Sequence, residues 1–182
     1  MIYIYLADGF EEIEALFPLD LFRRAGLDAK TVSVTEKREV TGSHGITVRT
    51  DITVKDGEYN PKEAELIMLP GGMPGTLNLE TSAELHAVLD YAYESRKLIA
   101  AICAAPSVIG KKGFLKDRKA TSYPGFEEYL IGRIPTDEKC VKDGNIITAA
   151  GAGVAMEFGL KIIETLCGAD TAKKIKNAII AG

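Results

Sequence analysis

The sequence predicts an α/β protein with a mainly parallel sheet. Short apolar runs typical of strands alternate with helix-like segments along the whole chain. Two of these runs, 66–69 and 98–102, contain no charged residue, as expected for strands that are buried on both faces of a parallel sheet. No repeat or low-complexity tract divides the 182 residues, so we expect 1–182 to form a single domain.

Composition and charge argue against several classes of partner. The 22 basic and 26 acidic residues give a net charge of −4 without a basic cluster, which disfavours nucleic acid and anionic membranes. No apolar run approaches the roughly 20 residues of a membrane span, and residues 1–6 lack the basic start of a signal peptide. Three widely spaced cysteines form neither a disulfide framework nor a metal motif, so we expect a cytoplasmic protein without a bound metal.

The first half of the chain predicts a βαβ unit followed by a small hairpin. Strands are expected at 2–6, 29–34, 52–54 and 66–69, a helix at 11–25 and a hairpin at 40–48. In the helix, glutamates near the start and arginines near the end suit the helix dipole, Pro18 interrupts the pattern, and Gly26 ends it. The polar segment 56–61 connects this region to the strand at 66–69.

The second half continues the alternation. Predicted helices are 82–93, 107–112, 125–131, 154–166 and 171–180, and predicted strands are 98–102, 120–124, 139–141 and 145–148. Ser82 is a suitable N-cap, Gly168 separates the last two helices, and Asp143-Gly144 suits the turn of a hairpin.

Cys103 lies where the most central of these strands ends and a helix begins. Pro106 suits the first turn of that helix, and the small residues Ala104 and Ala105 allow a sharp bend. Such a strand–nucleophile–helix elbow projects its side chain from the carboxyl edge of the sheet, toward the positive end of the helix. We therefore expect a reactive thiol whose pKa is lowered from about 8.5; the alternative is a buried structural cysteine.

Two further segments are expected at the same edge of the sheet. Glu14 follows Glu11 by about one helical turn and can bring a carboxyl to the thiol, where it would donate or move a proton; the alternative is a solvated acidic helix start. Gly71 and Gly72 offer backbone N–H groups, and Gly72 with Ala104 would form a two-donor hole for an oxyanion. The alternative is an ordinary turn.

The other chemically active side chains have weaker signals. His44 and His86 are predicted at the surface, and neither adjoins the elbow in sequence, so no Cys/His dyad is indicated. Tyr123 precedes Pro124 at the end of a predicted strand and offers either a phenol to the site or a packing surface. Cys140 and Cys167 fall within apolar patterns and are predicted to be core residues.

Three motifs resemble the ThiJ/PfpI superfamily and are most similar to its parkinsonism-associated deglycase (DJ-one) branch. They are Gly9-Phe10-Glu11-Glu12-Ile13-Glu14-Ala15, Leu69-Pro70-Gly71-Gly72 and Ala100-Ala101-Ile102-Cys103-Ala104-Ala105-Pro106, and the similarity extends over nearly the whole chain. The resemblance implies a flavodoxin-like three-layer sandwich, related to the class I glutamine amidotransferase domain, and a homodimer. It also implies that Cys103 is an oxidation-sensitive nucleophile, that Glu14 hydrogen-bonds it, and that Gly72 and Ala104 are the backbone donors.

The activity implied by this resemblance is of the glyoxalase or deglycase type. It would be a hydrolase or lyase reaction on a small aldehyde or glycated substrate, without a cofactor. Tyr123 stands where glyoxalase members often carry a histidine, and Ala150 replaces an arginine seen in some relatives. Protease-type relatives have a histidine directly after the cysteine, where this chain has Ala104, so peptide hydrolysis is disfavoured.

Two other functions fit the same residues. The first is a redox-responsive protein in which Cys103 is oxidised to sulfinate without turnover. The second is a structural subunit with a vestigial elbow.

Overall fold

The computed structural model describes residues 1–181 and confirms the predicted α/β fold with a mainly parallel sheet. Its strands are β1 (Ile2–Leu6), β2 (Ala29–Ser33), β3 (Glu39–Thr41), β4 (Thr47–Arg49), β5 (Ile52–Thr53), β6 (Leu66–Leu69), β7 (Leu98–Ile102), β8 (Cys140–Asp143) and β9 (Ile146–Ala149). Seven of them form one sheet in the order β5-β2-β1-β6-β7-β9-β8, in which only β8 is antiparallel to its neighbour. Strands β3 and β4 pair separately as the predicted hairpin.

Helices cover both faces of the sheet and make a flavodoxin-like three-layer sandwich. They are α1 (Glu12–Arg24), α2 (Gly75–Glu80), α3 (Ala83–Glu94), α4 (Pro106–Lys111), α5 (Ala155–Cys167) and α6 (Ala169–Ala178). The core cluster of one face includes residues of α1, α5 and α6, and that of the other includes residues of α2, α3 and α4. Successive β1 side chains alternate between them, because Ile4 belongs to the first cluster and Tyr3 and Tyr5 to the second.

The start of α1 is held at the carboxyl edge of the sheet. Glu11 is the N-cap, and its carboxylate accepts the Glu14 N–H at 2.7 Å. The helix includes Pro18 in its interior and packs closely on α5 at Gly159, where a Cβ atom would lie 3.3 Å from the Cα of Pro18. This packing fixes the direction of α1 and therefore the position of Glu14.

Several predicted elements are wrong. Residues 120–124 are a loop, because Thr121 N–H donates to the Thr148 side chain and Tyr123 N–H to the Cys103 carbonyl instead of to a strand partner. Within 125–131 only a 3₁₀ turn forms, at Glu127–Tyr129, and the six-residue helix α2 was not predicted. Cys140 is buried as predicted, but Cys167, the last residue of α5, is exposed, so its prediction as a core residue is wrong.

None of the helices among residues 1–181 has both the length and the apolar character that crossing a bilayer requires.

Candidate active site

The backbone at Cys103 forms the predicted elbow. Cys103 follows the fully buried strand β7 and has φ of 64°, in the left-handed region. Its N–H donates to the Ala149 carbonyl at 2.9 Å, and its own carbonyl accepts the Tyr123 N–H at 2.7 Å. Pro106 is at the first position of α4. These constraints hold the half-buried thiol at the carboxyl edge of the sheet.

Glu14 reaches this thiol from α1. Its side chain is fully buried, its Oε2 accepts the Gly71 N–H at 2.9 Å, and the Cβ position at Gly71 lies 2.8 Å from that oxygen and 2.7 Å from the Cys103 Cβ. Burial raises the pKa of Glu14 to about 7, although Gly71 and Cys103 oppose the shift. The alternative of a solvated carboxylate at this position is therefore wrong.

Two backbone N–H groups complete the surroundings of the sulfur. The amides of Ala104 and Gly72 both lower the pKa of Cys103 and so favour the charged form of its sulfur. At Gly72, φ is 91° and a Cβ atom would collide with the Glu11 amide nitrogen. At Gly71, a Cβ atom would lie 2.7 Å from the Cys103 Cβ and 2.8 Å from Glu14 Oε2. These glycines are required by close approach to the thiol and to α1, so the loop is more than an ordinary turn.

The prediction of a lowered thiol pKa is wrong. Burial, followed by the negative charge of Glu14, raises the pKa of Cys103 to about 12, and the Ala104 and Gly72 amides do not offset this. The first proton is therefore lost from the carboxyl, near neutral pH. A thiolate then forms when the Cys103 proton passes to Glu14, which makes this carboxylate the base available to the sulfur.

Tyr123 and Gly151 flank the carboxyl on its other side. A Cβ atom at Gly151 would lie 3.4 Å from Cδ2 of the Tyr123 ring and 3.9 Å from Glu14 Oε1. Tyr123 is 51% exposed, so its ring borders the site at the surface. Gly151 and the Ala152 amide, which lowers the Glu14 pKa, were not predicted. The glycine-rich run after β9 was their only signal.

The histidines belong elsewhere, and one of them completes a group of possible metal ligands. His44 is exposed at the β3–β4 hairpin, with Nδ1 2.8 Å from Glu12 Oε2, and His86 is bonded to the Glu80 carbonyl.

Within residues 1–181, one ligand atom each from Glu11, Glu12 and His44 lie within 4.8 Å of one another. The buried Glu12 carboxylate already accepts the His44 and Ile46 N–H groups. We therefore interpret this group as the anchor of the hairpin on α1.

The fold and the site together define an α/β protein that holds a cysteine at a strand–helix elbow beside a buried carboxyl group. The sequence model of the DJ-1/PfpI family matches residues 1–165, and the chain belongs to this family. It is 32% identical over 180 residues to the Parkinson disease protein 7 homolog of Danio rerio, covering 97% of this chain and 95% of that one.

Solved structures agree with this assignment. Oxidized Toxoplasma gondii DJ-1 superposes with a TM-score of 0.91 at 35% identity, covering 98% of this chain and 97% of that chain. Drosophila melanogaster DJ-1beta superposes with a TM-score of 0.90 at 31% identity, covering 98% and 96%. The resemblance noted from the three motifs is confirmed.

Proposed function

We propose that this protein is a cofactor-free enzyme of the glyoxalase or deglycase type that acts on small reactive carbonyl compounds or early glycation adducts. The observation that supports this most is that Cys103 and the Glu14 carboxyl both lie against Gly71, whose Cβ position is 2.7 Å from the Cys103 Cβ and 2.8 Å from Glu14 Oε2, and that the pKa of Glu14 is raised to about 7. A base with a pKa near the working pH and a nucleophile within its reach are the requirements for covalent acid/base catalysis.

The proposed reaction starts with addition of sulfur to the aldehyde. The Cys103 proton passes to Glu14, a sulfur–carbon bond forms, and the carbonyl π electrons move to oxygen. The Gly72 and Ala104 N–H groups, which favour the charged form of the sulfur, would stabilise the charge as it moves from sulfur to oxygen. Glu14 then gives its proton to that oxygen, which forms a hemithioacetal and leaves Glu14 as a carboxylate.

A 2-oxoaldehyde adduct then rearranges to a hydroxy acid. The Glu14 carboxylate takes the proton from the carbon bonded to sulfur, and the hydroxyl proton moves to the neighbouring carbonyl oxygen, which gives an enediolate and then, when Glu14 returns its proton to that neighbouring carbon, a 2-hydroxy thioester. Water cleaves this thioester into the hydroxy acid and the thiol. Because Tyr123 stands in place of the histidine expected in glyoxalases, this scheme assigns the proton transfers from and to carbon to Glu14.

The test is conversion of methylglyoxal to lactate, followed by mass spectrometry. We expect lactate from the wild type, none above background from Cys103→Ala, and a loss of roughly 10²–10⁴-fold in rate from Glu14→Gln. Cys167→Ser is the matched control, because it removes an exposed thiol outside the site. If the wild type forms no more lactate than Cys103→Ala, the proposal is wrong for 2-oxoaldehydes.

A second candidate function is redox response at the same thiol. A carboxyl with a pKa of about 7 is partly protonated at neutral pH and can donate a hydrogen bond to a sulfinate on Cys103. The similarity to a DJ-1 solved in an oxidized form also supports this candidate. Under peroxide titration, we expect intact mass and peptide mapping to show two oxygens added at Cys103. Equal modification of Cys140 and Cys167 would contradict it.

We also propose a homodimer that uses the face where the β3–β4 hairpin meets α1. Ile13 on α1 is 52% exposed and Ile46 beside the hairpin is 54% exposed, and Glu12 ties the two segments together. Exposed apolar side chains on segments that are hydrogen-bonded to each other suit an interface. Sedimentation equilibrium should show a dimer for the wild type and a monomer for Ile46→Lys. A wild-type monomer at micromolar concentration would contradict the proposal.

A cytoplasmic location is proposed on the basis of the cysteines. Cys103, Cys140 and Cys167 are all unpaired, as suits a reducing compartment. Cell fractionation of the native protein tests this, and recovery in an oxidising compartment would overturn it.

A further inference from the structure

We propose that Tyr123 determines substrate choice, so that the site accepts uncharged carbonyl compounds with an apolar or aromatic substituent and discriminates against anionic ones. The inference rests on the proposed function, since it names the substrate class for the same thiol.

The first observation is an unpartnered buried atom. Glu14 Oε1 is fully buried and has no hydrogen-bond partner among residues 1–181, whereas Oε2 accepts the Gly71 N–H. The same Oε1 is 3.9 Å from the Cβ position at Gly151, beside the Tyr123 ring. A buried polar atom without a partner is unfavourable. The hydroxyl group of a hemithioacetal on Cys103 would supply the missing partner from the substrate side.

The second observation is the aromatic ring at the rim of the site. The Tyr123 N–H donates to the Cys103 carbonyl, which ties the Tyr123 backbone to the nucleophile. Cδ2 of its ring lies 3.4 Å from the Cβ position at Gly151, beside Glu14 Oε1, and the residue is 51% exposed. An aromatic ring next to the mouth of the site favours an apolar or planar group on the carbonyl carbon.

The third observation is the sign of the local charge. Among charged neighbours, Glu11 acts on Glu14 and raises its pKa, which indicates a negative environment. His44 is the basic side chain near Glu11, at 3.9 Å, but its ring is bonded to Glu12 at the hairpin. A carboxylate or phosphate on the substrate would therefore meet repulsion from Glu11 and from the ionised form of Glu14.

The test compares substrates across Tyr123 variants. We expect kcat/KM to be higher for phenylglyoxal than for methylglyoxal. Tyr123→Ala should reduce the preference for phenylglyoxal by about 3- to 10-fold, the range of an aromatic contact, and Tyr123→Phe should keep it. Tyr129→Ala is the control, because Tyr129 is also exposed and its ring lies against Lys111.

A second measurement does not depend on turnover. Phenacyl bromide, bromoacetone and bromopyruvate alkylate a thiol by the same displacement of bromide, and their rates at Cys103 are divided by their rates with N-acetylcysteine. We expect these normalised rates to decrease in the order phenacyl bromide, bromoacetone, bromopyruvate. The preference for phenacyl bromide over bromoacetone should be lost in Tyr123→Ala.

The outcomes separate the two proposals. If no aldehyde is turned over but alkylation keeps this order and depends on Tyr123, the proposed function fails and the selection by Tyr123 stands. If Tyr123→Ala leaves the alkylation ratios unchanged, or bromopyruvate reacts as fast as bromoacetone, the inference is overturned.

Discussion

Replacing Glu14 with glutamine should change how stability depends on pH. Glu14 is buried, and its pKa in the folded protein is about 7, against an ordinary value of 4.5. Because the folded state binds the extra proton between these values, the contribution of Glu14 is fully present below the unfolded-state pKa. It is lost as the pH rises through the folded-state pKa. Glutamine has no such proton, so Glu14→Gln should escape this loss.

The expected magnitude follows from the size of the shift. A pKa raised from 4.5 to about 7 corresponds to about 3 kcal/mol of unfolding free energy. Relative to Glu14→Gln, the wild type should therefore lose about 3 kcal/mol between about pH 4 and about pH 8. Acidic groups elsewhere in the chain titrate in both proteins and cancel in the difference.

Urea unfolding at a series of pH values measures this difference directly. Glu58→Gln is the matched control, because it makes the same chemical change at an exposed position and should follow the wild type. A constant offset between Glu14→Gln and the wild type across the whole pH range would refute the reasoning, since it would mean that Glu14 keeps an ordinary pKa.

The remaining predictions concern the Gly71 loop of the site and the Glu12–His44 contact that anchors the hairpin on α1. Gly71→Ala places a Cβ atom 2.7 Å from the Cys103 Cβ and should displace the neighbouring carboxyl. The plot of the thiol alkylation rate against pH should then lose its inflection near the carboxyl pKa of about 7. Gly57→Ala is the control and should keep the inflection, because the space around its Cβ position is open. An unchanged pH profile in Gly71→Ala would contradict the geometry. Glu12 raises the pKa of His44 through a hydrogen bond and its charge, so Glu12→Gln should lower that pKa in an NMR titration. An identical His44 titration curve in both proteins would count against this contact.

The elbow and the sheet could be predicted because their signals are local. An uncharged run, a break at Cys103 and a proline three residues later indicate a buried strand, a turn and a helix start wherever they occur. Glu14 was predicted for a similar reason, since its distance from the helix start and the shared edge of a parallel sheet limit where its carboxyl can go.

The rest depends on contacts between distant segments. The loop around Tyr123 is held by Cys103 and by the side chain of Thr148, neither of which its own composition indicates. The thiol pKa is a balance between burial, a carboxylate and two amides, and the sign of that balance is set by distances that the sequence does not contain. Gly151 was missed because its role depends on its distance from the Tyr123 ring.

The left-handed backbone of Cys103 also has a consequence for stability. A non-glycine residue with φ of 64° costs roughly 1–3 kcal/mol, and a glycine there would relieve that penalty. The protein is therefore less stable than it would be with glycine at this position, but it presents the sulfur at that angle. Selecting variants for thermal stability would therefore favour glycine at position 103, and those variants would have lost the thiol.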